Sequence, residues 1–154
     1  MGEPMKLEKW AQTAEIVAAV AVVVSIVYLG LEVESNTSAV QGTAMQAIAS
    51  TDAQILMSVA TDAELSEIVR VGYQKPGQLS EAELFRFSMF MRQFWLSFQN
   101  IYQQSELELI EQPVWESYRT VICGMWARPG SRETWSTHVD ILDAGFVAVV
   151  QACE

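Results

Sequence analysis

The stretch that decides the fold runs from Trp10 to Glu34 and reads WAQTAEIVAAVAVVVSIVYLGLEVE. From Ile16 to Leu31 it holds no charged side chain. At about 1.5 Å rise per residue, those sixteen residues cover roughly 24 Å as a helix. A hydrocarbon core is about 30 Å thick, so the run must extend back towards Trp10 to cross it. The extension brings in Glu15, which falls near the interface, where a carboxylate reaches water or a partner. Trp10 and Tyr28 lie near the two ends, at the depth that amphipathic rings prefer.

Two other readings compete with a membrane anchor. A cleaved signal peptide needs a small-residue cleavage site after its apolar run. Gly30-Leu31-Glu32-Val33-Glu34 does not resemble one. A buried core helix suits the shortness of the run, and its Val and Ile content even allows a strand. The rest of the chain reads as helical, which leaves little sheet for a strand to join. The preferred reading is an all-α protein: a single N-terminal transmembrane helix, continuing into a long helix and followed by a small helical bundle. Residues 1–34 form the anchor segment and residues 35–154 an acidic helical domain.

Lys and Arg near the ends of a span set its orientation. Lys6 and Lys9 precede the segment, with Glu3 and Glu8 beside them, and the next basic residue after it is Arg70. This bias puts the N-terminus in the cytoplasm and the large domain outside.

After Leu31 there are sixteen Asp and Glu against seven Lys and Arg. An acidic surface lacks the clustered cations that phosphate binding needs, so nucleic acid is excluded as a partner. It also argues against electrostatic adhesion to anionic lipid. Cys123 and Cys153 are the two cysteines. One reading is a disulfide between the last helices of an exported domain; the other is two small buried apolar side chains.

Beyond the anchor, apolar residues at Val33, Val40, Ala44, Ile48, Ile55 and Val59 suit one helical face, with Gly30 and Gly42 as weak points. Thr61 and Glu64 have capping-box spacing and predict a short helix to about Tyr73. Lys75-Pro76-Gly77 is a loop. Ser80 and Glu83 repeat the capping-box signal and open a helix to about Ser105. Gln112 as N-cap before Pro113 predicts a helix to about Trp126. Arg128-Pro129-Gly130 breaks the chain, Ser131 to His138 forms a short helix, and Asp140 caps the last one.

The helix from Ser80 carries Phe87, Phe90, Met91, Phe94, Phe98 and Ile101 on one face, with Phe85, Met89 and Leu96 on the opposite side. A helix that is apolar all round is usually buried. Its two arginines speak against a second span, so it reads as the centre of the bundle. Arg86, Gln93, Ser97, Asn100 and Gln104 form a flanking polar stripe with a single charge. This stripe is either a satisfied network between helices or a docking face, with Gln93, Ser97, Asn100 and Gln104 as the candidate partner contacts.

His138 is the only histidine. Zinc and di-iron patterns that need two histidines are therefore excluded. Neither cysteine has a local context that activates a thiolate, and no Gly-rich phosphate loop exists. No cofactor, metal or catalytic residue is assigned. Ala14, Ala18, Ala21 and Ser25 are more informative: their spacings of four, three and four place small residues along one side, where helices in a bilayer approach closely. The spacing resumes through Ser35, Ala39, Gly42, Gln46, Ala49 and Ala53.

Taken together, Tyr28-Leu29-Gly30-Leu31, Asn36-Thr37, the aromatic helix ending near Asn100 and Tyr102, Trp115, and Pro129-Gly130 with Arg132 and Trp135 resemble a group of small, uncharacterised bacterial proteins. These have one N-terminal membrane helix and an all-helical C-terminal domain. The resemblance covers most of the chain and implies an architecture and a bacterial source, with no activity attached; the location expected is the bacterial inner membrane, single-pass. Such proteins often carry a basic residue shortly after the span; here Glu32 and Glu34 stand there instead. The function expected is non-enzymatic: a membrane-anchored interaction protein, partnered by the lipid bilayer and by itself or by other membrane protein subunits, as a homo-oligomer or an accessory subunit. The alternative is a helical module that holds an apolar ligand, such as a lipid or quinone, among Phe87, Phe94, Phe98, Trp115 and Trp126. Against it, those rings are more commonly their own core.

Overall fold

The computed structural model describes the backbone over residues 4–153 and the side chains over residues 10–153. The side chains of Lys6, Lys9, Glu3 and Glu8, on which the expected orientation rests, lie outside the described ones. Among the described residues the chain is 88% helical with no strand, so the fold is all-α. It divides into two compact units, one up to Val40 and one from Gln41.

Helix α1 (Pro4–Thr61) is unbroken through Gly30 and Gly42. A Cβ placed on either glycine would meet nothing within 4 Å. In the first unit every side chain from Trp10 to Val40 is exposed, including Ile16, Val24 and Leu31. Within Trp10–Thr61 the most apolar 18-residue window has a mean hydropathy of 2.5, and none of that window is buried within the chain. By length and composition α1 is able to cross a membrane.

The second unit builds a bundle from the end of α1, α2 (Ala63–Gln74), α3 (Glu81–Glu106), α4 (Gln112–Trp126), α5 (Pro129–Trp135) and α6 (Ala144–Gln151). Short 3₁₀ turns at Pro76–Gln78 and Val139–Ile141 join them. α3 is the centre: α2, α4 and α5 all pack on it, and α6 packs on α4. Its Phe87, Met91, Trp95, Phe98 and Ile101 are buried. From α1 come Ile48 and Ile55, two helical turns apart, with Ala44 and Val59 half-buried beside them. Val33 and Val40, on the same expected stripe, stay exposed. Each large apolar side chain removed from water contributes about 1.5–3 kcal/mol, so this aromatic-rich layer dominates the stability of the bundle.

Several helix ends differ from the expectations by a residue or more. The cap of α2 is Asp62, whose carboxylate accepts from the Leu65 N–H. Thr61 is not the cap, because its hydroxyl already donates back to the Met57 carbonyl inside α1. α4 is preceded by Glu111 and includes Gln112, which puts Pro113 at the second helical position, where a missing N–H still costs nothing. Pro129 opens α5 rather than breaking the chain before it, since its fixed φ suits a first helical residue. Asp140 sits in a 3₁₀ turn, and Asp143 caps α6 by accepting from Gly145 and Phe146. The capping box at Ser80 and Glu83 is present with both reciprocal bonds.

α3 is not buried all round. Phe85 is 65% exposed, and Met89 and Leu96 are also exposed. The reason is packing geometry: α2, α4 and α5 cover one side of α3 and leave this one open. Trp95, not among the expected core residues, is fully buried against Trp135, with ring centroids 4.9 Å apart.

Candidate association surfaces

The first surface lies on α1 in the first unit. Ala14, Ala18, Ala21 and Ser25 are all exposed. The Ser25 hydroxyl donates to the Ala21 carbonyl at 2.7 Å, one turn back along the same helix. That bond spends the hydroxyl on its own backbone, which leaves a small, apolar hollow at Ser25. Larger Val, Ile and Leu side chains flank it, and Ala21, Val22, Ser25, Ile26 and Leu29 outline a shallow depression on the helix surface.

The second surface lies on α3. Gln93 and Asn100 are exposed, and Ser97 and Gln104 are half-buried. Among the described residues the side chains of Gln93, Ser97 and Asn100 make no hydrogen bond, and the Gln104 Oε1 is buried with no partner. Only Arg86, at the head of the stripe, reaches another helix: its guanidinium pairs with Glu64 at 2.7 Å and Asp62 at 3.3 Å. Beside the stripe, Phe85, Met89 and Leu96 extend the same open face with apolar surface.

Cys123 on α4 and Cys153 just after α6 form a disulfide, with Cα atoms 5.0 Å apart. It ties the segment just after α6 to α4, and Phe146 and Val150 of α6 are buried.

Three polar features have no counterpart in the linear reading. The Tyr118 hydroxyl of α4 donates to Asp52 of α1 at 2.5 Å. Burial first, then the bond and charge of Asp52, push the Tyr118 pKa up to about 12. Gln99 of α3 accepts from the Asp143 N–H at 2.6 Å, tying the cap of α6 to α3. His138 is buried, its Nε2 2.9 Å from the Ser88 carbonyl oxygen and 3.0 Å from the Ser88 hydroxyl. Nothing local signals these pairs, because the partners are 66, 44 and 50 residues apart. The His138 imidazole faces α3 rather than any carboxylate pair or thiol. Among the described residues no group of three His, Cys, Asp or Glu gathers in a metal-binding arrangement.

The rings of Phe87, Phe98 and Trp115 are buried in the common core, with Phe94 and Trp126 half-buried against it. Trp126 stacks edge-on to Trp135 at 5.4 Å, and Phe94 lies 4.9 Å from Phe90. No family model, curated protein or solved structure matches the chain.

Proposed function

We propose that the chain is a membrane-anchored, non-enzymatic interaction protein of the bacterial inner membrane, acting as a homo-oligomer or as a small accessory subunit of a larger membrane complex. The observation that carries this proposal is the exposure of every side chain from Trp10 to Val40 on a helix this apolar. Large contiguous apolar surface left open in water is unfavourable, and a bilayer is the environment that covers it. The disulfide between Cys123 and Cys153 supports a domain on the periplasmic side, since such bonds persist in oxidising compartments.

Association within the bilayer falls to Ala14, Ala18, Ala21 and Ser25, where small side chains let a second helix come close. Outside the bilayer, the open face of α3 is the second contact: Gln93, Ser97, Asn100 and Gln104 with Phe85, Met89 and Leu96 beside them. The test is a native gel of gently solubilised membranes, comparing the wild-type chain with an Ala18→Leu, Ala21→Leu double variant. Loss of the high-mass species in the double variant is the expected result. Assembly unchanged by both substitutions removes the seam, and a wild-type chain that migrates alone as a monomer removes the proposal.

A further inference from the structure

A groove of about 180 Å³ opens in the second unit between α1, α3 and α4, at Asp52, Leu56, Phe94, Phe98, Tyr118 and Val121. Small-molecule sites usually run about 300–1,000 Å³, so this one suits a single compact group. Leu56 and Val121 stand open to solvent at its sides. Three aromatic rings follow one another along it: Phe94 and Phe98 have centroids 5.8 Å apart, and Phe98 and Tyr118 6.4 Å.

Asp52 gives the groove its chemistry. It is half-buried, accepts one hydrogen bond from Tyr118, and forms no ion pair among the described residues. Tyr118, with its pKa near 12, stays a neutral donor at physiological pH. The carboxylate therefore faces an aromatic, apolar recess with no cation from the described residues paired to it. A neutral apolar occupant would strip water from the carboxylate without replacing it. A divalent metal ion needs several oxygen ligands, and only one carboxylate is present. A weakly hydrated organic cation meets both demands, since its charge satisfies Asp52 and its alkyl surface lies on ring faces. The formal charge of −10 on the chain further enriches cations around it.

The geometry points to a binding site for the cationic head of a free alkylammonium ion, with Asp52 supplying the opposite charge and Phe94 and Tyr118 the ring faces. This inference is independent of the association surfaces above and survives if they fail.

The test is a titration of the full chain in maltoside micelles with choline, followed through the aromatic NMR resonances. The neutral carbon isostere 3,3-dimethylbutan-1-ol and sodium chloride at matched ionic strength are the controls. The site predicts a saturable shift at Phe94 and Tyr118, with choline bound about tenfold more tightly than its isostere. Asp52→Asn keeps an acceptor for Tyr118 and removes the charge, so it should weaken choline about tenfold and leave the isostere unchanged. Leu56→Trp alters an exposed wall and should fill the groove and abolish the shift. Equal affinity for choline and isostere overturns the proposal, as does a non-saturating shift, or binding retained in folded Asp52→Asn or Leu56→Trp. A shift produced by a short-chain phosphatidylcholine and not by choline also overturns a site for the free ion.

Discussion

Gly130, at the start of α5, rests directly on the carbonyl oxygen of Gly72 in α2. A Cβ built on Gly130 would overlap that oxygen, and one on Gly72 would run into the Phe87 ring. The two helices meet backbone to backbone at this point, so neither glycine has room for a methyl group. Gly130→Ala should lower stability by about 1–3 kcal/mol through overpacking. Thermal melts of the full chain in detergent measure it. Gly124→Ala on α4, where nothing lies near the added carbon, is the control and should leave the midpoint unchanged or slightly raised.

Tyr118 and Asp52 tie α4 to α1. Tyr118→Phe removes the donor and leaves a half-buried carboxylate to water, at a cost of about 1 kcal/mol. The pH dependence has a definite sign. The folded pKa of Tyr118, about 12, lies above the ordinary value of 10.0, so its contribution is full below pH 10 and is lost as pH rises towards 12. Chemical denaturation between pH 9 and 12 should show the wild type losing its advantage over Tyr118→Phe across that interval. A constant gap would contradict the assignment.

His138 carries the opposite sign. Burial is the main influence and lowers its pKa; the hydrogen bond to Ser88 opposes this, and Arg92 adds to the lowering. A depressed histidine pKa means the unfolded chain takes up the proton first. The stability is present above the ordinary value of 6.5 and is lost as pH falls through the folded pKa. His138→Gln should therefore show a shallower loss of stability than the wild type as pH is lowered from 7 towards 5. Parallel curves would mean that His138 does not titrate differently on folding.

The Cys123–Cys153 bond closes a segment with a sequence separation of 30. On the chain-entropy model such a link is worth about 3–4 kcal/mol, and less if the unfolded chain stays compact. Cys123→Ser with Cys153→Ser should lower the melting midpoint, and reducing agent should shift the wild type to match and leave the variant unmoved. A wild type indifferent to reductant would argue that the bond is not formed.

Much of the helical architecture was legible in the residues alone. Ser80 and Glu83 announce the start of α3, because a capping box is satisfied entirely within four residues. Lys75-Pro76-Gly77 marks the break after α2 for an equally local reason. Local signals misplace a helix end where two of them compete. Thr61 and Asp62 both have capping chemistry, and only the prior commitment of the Thr61 hydroxyl to Met57 decides between them. Asp140 and Asp143 pose the same choice at α6, and the one followed by Gly145 and Phe146 N–H groups within reach is the cap.

The candidate surfaces were legible to different depths. The spacing of Ala14, Ala18, Ala21 and Ser25 is a property of one helix, so sequence alone places them on one side. The exposure of Phe85, Met89 and Leu96 was not legible, because an apolar residue on α3 carries no mark of whether another helix covers it. Trp95 is the converse case, an aromatic whose burial depends on Trp135 from a distant helix.

By itself the sequence determined the helical class, the uncharged run from Ile16 to Leu31 and the start of α3. These follow from side-chain polarity and from hydrogen bonds that span only a few residues. Only the tertiary structure decided which face of α3 stays open, that Gly72 meets Gly130, and that Tyr118 bonds Asp52 beside an aromatic groove. Those outcomes depend on which helices pack together and at what distance, and contacts between residues tens of positions apart leave no periodic trace in the chain.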